Sequence, residues 1–364
     1  MDLPDETSYT GSMLRVLVAE DSATARLLLV SLLSSDPDIT VVGQARNGEE
    51  AVALCASLRP DVVTMDIQMP VLDGIEATRQ IVSQSATPVI MVSSLDPADV
   101  SRSMTAFNAG ALAVLAKPSG PGTPRFEKDC RELIATVKAL SEAKPVAGEP
   151  APVADAATAS PSTTPERASH THRVEVIGLV ASTGGPIALR SFFQSLPAKC
   201  TVPILIVQHI AAGFASAFAE WLSSSSRRTV RVATDQERVV EGVVYVAPDD
   251  RHLTVAGGAI VLSTAPAHDG VRPSGTVLLS SLAKEYGARA AGVLLTGNGT
   301  DGVTGRIELR DAGGAVYGQD QASCTTFEAP RAALEAGAIT TTTALGDIPK
   351  RLANLVAGRP EAHS

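Results

Sequence analysis

Between Pro145 and Ala168 the chain carries five prolines, seven alanines, several serines and threonines, and no aromatic residue. Such a composition cannot bury enough apolar surface to offset the entropy of ordering. It predicts a flexible linker over 141–172 and divides the 364 residues into two folding units. In the first, over 14–140, β-branched and aliphatic runs alternate with helical periods. Strands are expected at Leu14 to Ala19, Ile39 to Ala45, Asp61 to Asp66, Pro88 to Ser93 and Leu112 to Ala116, with a helix after each of these five. That alternation predicts a doubly wound parallel sheet, in which ligands collect beyond the carboxyl ends of the strands.

The second unit, over 173–358, also alternates. Strands are expected at Val174 to Ala181, Val202 to Gln208 and Ala291 to Thr296, with short ones between Thr229 and Leu262. Helices are expected after Gly184-Gly185-Pro186, around Phe214 to Ser224, near Val277 to Tyr286 and from Gly302. This too reads as α/β, and no internal repeat links the halves.

Charge narrows the function classes. The formal net charge is −9, with −4 in residues 14 to 140 and 0 in residues 173 to 358. Neither unit has the basic footprint of nucleic-acid binding, which sets aside a DNA-binding regulator. The start, Met1-Asp2-Leu3-Pro4-Asp5-Glu6, is acidic where an export signal is basic and then apolar. No apolar run approaches the roughly 18 residues of a membrane span. A cytoplasmic protein without membrane insertion is expected. Cys55, Cys130, Cys200 and Cys324 lie far apart, as reduced thiols do, and suggest neither a disulfide framework nor a zinc site.

In the first unit, strand one ends in Glu20-Asp21 and strand three in Asp66, so three carboxylates converge at neighbouring strand ends. Hard oxygen ligands crowded in this way suit Mg²⁺, which would neutralise charge while one carboxylate attacks a phosphoryl donor. Lys117, before Pro118, supplies a further positive charge, and Ser93 a hydroxyl donor. In the second unit, Ser182 stands between a strand and Thr183-Gly184-Gly185-Pro186, where helix N-terminal amides can hold a developing oxyanion. His209 closes the next strand and Asp301 follows a later one, so a parallel sheet gathers nucleophile, base and orienting acid. The order Ser, His, Asp and the sequence Val180-Ala181-Ser182-Thr183-Gly184 both depart from the α/β-hydrolase pattern.

Glu20-Asp21-Ser22, Met65-Asp66-Ile67-Gln68-Met69-Pro70, Asp73-Gly74, Ser93 and Lys117-Pro118 together resemble the receiver domain of two-component response regulators, a flavodoxin-like fold. The resemblance implies that Asp66 is the phosphoacceptor, that Ser93 and Lys117 form the switch, and that Glu20, Asp21, Asp66 and the Gln68 carbonyl hold Mg²⁺. Val114 stands where receivers commonly have an aromatic residue, so the usual aromatic rotamer switch is not expected.

In the second unit, Ala181 to Pro186, Gln208-His209, Tyr245 to Pro248 with Asp250-Arg251-His252, Arg272-Pro273-Ser274, Leu295-Thr296-Gly297 with Asp301-Gly302, and Gln319-Asp320 resemble the CheB-type chemotaxis protein-glutamate methylesterase domain. The resemblance implies a phosphorylation-regulated hydrolase that demethylates glutamate methyl esters and deamidates glutamines on methyl-accepting chemotaxis receptors, with a chemotaxis histidine kinase as phosphodonor. It gives Ser182, His209 and Asp301 the catalytic roles, with Thr183, Gly184 and Asn298 as oxyanion and supporting groups and no cofactor in the esterase site.

Three departures lie near that site. Val180 replaces a usual glycine, Asn298 a usual methionine, and Gly275-Thr276 a usual Val-Asp, which removes a carboxylate able to hold Arg272. The alternative they suggest is a phosphoacceptor regulator whose weakened second half only binds receptor or kinase. His170 and His172 read as solvated linker residues, and His252 and His268 have no assigned role.

Overall fold

The computed structural model describes residues 13–141 and 173–359. The acidic start, His170 and His172, and all of the expected linker except Ser141 lie outside the described residues.

The first unit runs β1 (Leu14–Ala19), α1 (Ala23–Ser34), β2 (Ile39–Ala45), α2 (Gly48–Leu58), β3 (Val62–Met65), α3 (Gly74–Ser85), β4 (Val89–Ser93), α4 (Pro97–Ala109), β5 (Ala113–Ala116) and α5 (Phe126–Ser141). Its five strands pair in the order β2-β1-β3-β4-β5, every pairing parallel. Parallel strands covered by helices on both faces are apolar throughout, and all four residues of β3, Val-Val-Thr-Met, are buried. The helices begin where short polar side chains leave the strands. Ser22, Asn47 and Asp73 each accept the N–H three residues on, at the first turns of α1, α2 and α3.

The second unit continues with β6 (Val176–Ala181), α6 (Gly185–Ser195), β7 (Ile204–Gln208), α7 (Ala215–Ser226), β8 (Thr229–Val232), β9 (Val243–Val246), β10 (His252–Ala256), β11 (Ala259–Ser263), α8 (Gly275–Tyr286), β12 (Ala290–Leu294), α9 (Val303–Asp311), β13 (Ala315–Gln319), α10 (Glu328–Glu335), β14 (Thr342–Thr343) and α11 (Ile348–Val356). Seven strands form a parallel sheet in the order β14-β13-β12-β6-β7-β9-β8. The order reverses at β6, whose neighbours are β7 on one side and β12 on the other. This is the switch point at which a crevice opens beyond the strand ends.

Two features differ from the sequence expectation. Of the short strands before Leu262, β8 and β9 join the sheet, whereas β10 and β11 form a separate antiparallel hairpin. After α9 the sheet gains β13 and β14, which the sequence reading did not anticipate. The core of this unit joins Val180 and Leu294 from the sheet to Leu278, Leu279, Leu282 and Leu309 from α8 and α9, all at most 2% exposed. Each such side chain contributes about 1.5–3 kcal/mol of transfer free energy. No helix among the described residues is long and apolar enough to cross a membrane.

Candidate active site

At the carboxyl edge of the first sheet the backbone sets the expected side chains beside one another. Asp66 N donates to the Ala19 carbonyl at 2.9 Å, and Lys117 N to the Ser93 carbonyl at 2.7 Å. One oxygen each from Glu20, Asp21 and Asp66 lies within 4.8 Å of the others. Lys117 Nζ sits 2.9 Å from Glu20 Oε2 and 3.0 Å from Asp66 Oδ2. Burial pushes both of these carboxyls up, and Lys117 lowers them without cancelling it. For Lys117, burial lowers the ammonium and the bonds to Glu20 and Asp66 more than restore it. One lysine thus leaves the cluster short of positive charge. Three oxygen donors and this deficit fit a divalent cation. Ser93 Oγ donates to the Ser94 carbonyl at 3.1 Å, at the same edge. Val114 is a buried residue of β5.

In the second unit Ser182 directly follows β6, His209 directly follows β7, and Asp301 lies beyond β12. The two outer strands flank β6. His209 N donates to the Ala181 carbonyl at 2.9 Å, and Ser182 N to the Thr296 carbonyl at 3.0 Å, so the backbone around Ser182 is tied to both neighbouring strands. His209 Nε2 lies 3.0 Å from Asp301 Oδ2, with its N–H off the line of a hydrogen bond. The contact is therefore chiefly electrostatic, and it leaves Nδ1 as the nitrogen available to a hydroxyl. Ser182 is half-buried, and its hydroxyl makes no hydrogen bond among the described residues.

The turn that presents Ser182 depends on Gly184. Its φ is +76°, and a Cβ there would lie 2.4 Å from the Thr325 side chain. The N–H groups of Thr183, Gly184 and Asn298 donate to nothing among the described residues. Asn298 Oδ1 is buried and likewise unpartnered. These are the groups the sequence assigned to oxyanion support.

Several residues that brace the site had no assigned role in the sequence. Gln208 Nε2 donates to the carbonyls of Ser182 at 2.9 Å and His209 at 2.8 Å, clamping the two residues together. Thr296 Oγ1 lies 3.0 Å from the Thr183 carbonyl, and Thr296 N donates to Gln319 Oε1 at 2.9 Å. Asp301 rests on the N-terminus of α8. Its Oδ1 accepts from Ser274 Oγ at 2.6 Å and Thr276 N at 3.1 Å, and its Oδ2 from Gly275 N at 2.5 Å. Burial pushes the Asp301 carboxyl up, but the His209 ring and the Ser274 and Gly275 donors outweigh it and hold it at about 2. Asp301 is therefore an anion across the working pH range.

One sequence expectation needs correction. Thr276 does not deprive Arg272 of its partner, because Arg272 Nε and Nη2 bind Asp250 Oδ1 at 2.8 and 2.6 Å, and Nη1 binds the carbonyls of Thr264 and Ala265. Thr276 serves the site instead, its Oγ1 accepting from Gly302 N at 2.8 Å beside Asp301.

Residues 177–352 match the family model for the CheB methylesterase, and residues 16–123 that for the response regulator receiver domain. Protein-glutamate methylesterase/protein-glutamine glutaminase 3 of Anaeromyxobacter dehalogenans (strain 2CP-C) is 49% identical, covering 94% of this chain and 98% of that protein. Protein-glutamate methylesterase/protein-glutamine glutaminase 4 of Myxococcus xanthus (strain DK1622) is 47% identical, covering 95% of this chain and 98% of its own. The crystal structure of the Thermotoga maritima CheB methylesterase catalytic domain is 34% identical with a TM-score of 0.48, covering 50% of this chain and 99% of that one. With identity near one half across nearly the whole length of both relatives, the chain belongs to the CheB-type protein-glutamate methylesterase/protein-glutamine glutaminase family.

Proposed function

We propose that this protein hydrolyses the methyl esters of methylated glutamate side chains on methyl-accepting chemotaxis receptors, and deamidates glutamine side chains there, under the control of phosphoryl transfer to Asp66. The relatives are named for both activities, which favours a hydrolase over a non-catalytic binding module. The observation that carries the chemistry is the Asp301 carboxylate 3.0 Å from His209 Nε2, at strand ends on either side of Ser182.

Ser182 Oγ attacks the ester carbonyl, and its proton passes to His209 Nδ1, because Nε2 faces Asp301. The hydroxyl turns onto Nδ1 once substrate fills the crevice, as catalytic hydrogen bonds often tighten only in the complex. Asp301 stabilises the imidazolium that forms. The unpaired N–H groups of Thr183, Gly184 and Asn298 receive the oxyanion. The imidazolium then gives its proton to departing methanol, or to ammonia when the substrate is a glutamine. A water deprotonated by the same ring attacks the acyl-enzyme and frees Ser182. Cys324 does not compete as a nucleophile, because burial, aided by Asp320, pushes its thiol up to about 12.

In the first unit Glu20, Asp21, Asp66 and the Gln68 carbonyl would hold Mg²⁺. When bound it neutralises charge about the phosphoryl group being transferred from the chemotaxis histidine kinase. Asp66 accepts that group, and Lys117 and Ser93 then face its oxygens. Asp66→Asn is expected to take up no phosphoryl group from acetyl phosphate, read as the absence of a phosphate-dependent gel shift, and to leave esterase activity unresponsive to the donor. A variant that still shifts would move the acceptor elsewhere.

The deciding experiment incubates the full chain with receptors carrying radiolabelled methyl groups, with and without acetyl phosphate and Mg²⁺, and collects volatile label. Methanol release that rises with phosphodonor is expected. No release in either condition sinks the assignment. Acting on the methylation sites of receptors puts the protein to work in the cytoplasm.

A further inference from the structure

We infer that His252 is a positioning residue for the hydrolysis: through Ser274 it sets the α8 N-terminus on which Asp301 rests. The inference depends on the Ser182, His209, Asp301 reading and deepens it.

His252 opens β10 and is 1% exposed. Its Nε2 lies 3.1 Å from the Pro266 carbonyl, which can only accept, so Nε2 carries the proton. Nδ1 is then a lone pair, and it accepts the Ser274 backbone N–H at 3.2 Å. Both partners demand the same tautomer. Ser274 is itself 0% exposed and caps α8, its Oγ accepting from Val277 N at 3.3 Å while donating to Asp301 Oδ1 at 2.6 Å. The next two N–H groups, Gly275 and Thr276, also bind Asp301.

A continuous path therefore runs from the Pro266 carbonyl through the His252 ring, Ser274 and Asp301 to His209. Three of the four groups that hold Asp301 lie on the segment anchored by the His252 acceptor. Loss of that acceptor leaves a buried N–H unpaired, which is costly in place, so the segment shifts to find another partner. A shift there moves Asp301 and hence the ring of the base. A displacement on the order of 1 Å costs about 100-fold in rate.

The two amide isosteres separate the two ring nitrogens. Asparagine places a carbonyl oxygen where Nδ1 lies and can still accept from Ser274. Glutamine places its amide nitrogen near Nε2, keeps the Pro266 bond and loses the acceptor. His252→Gln is expected to lower kcat for methanol release about 10- to 100-fold with KM unchanged, and to slow labelling of Ser182 by a fluorophosphonate in parallel. His252→Asn is expected to stay within about fivefold of the parent, by the acceptor geometry above. Ser274→Ala keeps the backbone N–H on His252 Nδ1 and the Gly275 and Thr276 bonds to Asp301, so the glutamine change is expected to lower kcat in that background as well.

A merely structural histidine would instead lower thermal stability and leave kcat per titrated serine intact. A folded His252→Gln enzyme with parental kcat overturns the inference. So does an asparagine variant that falls more than fivefold. Should the glutamine variant not fold, His252→Ala takes its place, assayed per fluorophosphonate-titrated serine: a kcat lowered at least tenfold supports the inference and a parental kcat overturns it. Ser182→Ala separates the layers. If it is as active as the parent, the nucleophile reading fails; if it is inactive while His252→Gln is not, only the positioning role fails.

Discussion

Asp301→Asn is expected to lower methanol release about 10⁴-fold, and Ser182→Ala about 10⁶-fold, with substrate binding largely kept. The asparagine effect follows from the donors around residue 301. Oδ1 takes Thr276 N–H and the Ser274 hydroxyl, while Oδ2 takes Gly275 N–H and faces His209. An amide has one oxygen, so in either orientation its NH₂ meets a backbone N–H. If the NH₂ faces His209, Nε2 becomes an acceptor, the proton moves to Nδ1, and the ring can no longer take the serine's proton.

The same geometry gives a stability prediction. The folded carboxyl sits at about 2, below its unfolded value, so its contribution is full above pH 4 or so and disappears as pH falls through about 2. The shift corresponds to roughly 2 kcal/mol, lost over that window. Thermal unfolding of the parent should therefore drop more steeply between pH 4 and 2 than that of Asp301→Asn, which should already be less stable at pH 7 by about 1–3 kcal/mol. An asparagine enzyme within tenfold of parental activity, or parallel acid profiles, would contradict this account.

The strand-end logic that finds Asp301 in the sequence does not find what holds it. Ser22, Asn47 and Asp73 are legible as caps because each partner lies three residues on. Ser182, His209 and the acidic cluster are legible because a parallel sheet puts every strand's carboxyl end on one edge. The Asp301 cradle lies 25 to 27 residues upstream, across an intervening helix and strand, and no periodicity connects the two. β13 and α10 escape notice for local reasons. Ala-Val-Tyr-Gly-Gln is short and interrupted by glycine, and Glu-Ala-Pro-Arg begins a helix with a proline that is tolerated only because it lies in the first turn. Arg306 lies on α9, where a charged side chain ordinarily faces water, yet it is 0% exposed, with Nη2 on the Tyr317 carbonyl and burial lowering its guanidinium to about 9. Charge in a helix pattern signals exposure only on average, and tertiary packing overrides it here.

Two of the family departures answer each other in space, which yields the second large prediction. A Cβ built on Gly275 would lie 2.4 Å from Val180 Cγ1 and 2.6 Å from Cγ2. The valine that the family resemblance places after Arg-Pro-Ser has no room here, because its volume is already supplied from β6, where the resemblance places glycine. Gly275→Val alone is expected to destabilise the second unit by about 3 kcal/mol or more, since overpacking between two core elements has no free surface to relax into. It should also depress activity, because Gly275 N bonds Asp301 Oδ2 and the backbone cannot retreat from Val180 without carrying that donor away. Val180→Gly alone opens a cavity, at about 2 kcal/mol or more. Combined, the overlap and the cavity partly fill each other, so the double variant should recover about half of the summed losses, with a coupling energy of about 2–3 kcal/mol in thermal or denaturant unfolding. Additive single effects would mean that the two side chains do not share one volume, and the nucleophile's strand and the Asp301 cradle would then be independent of each other.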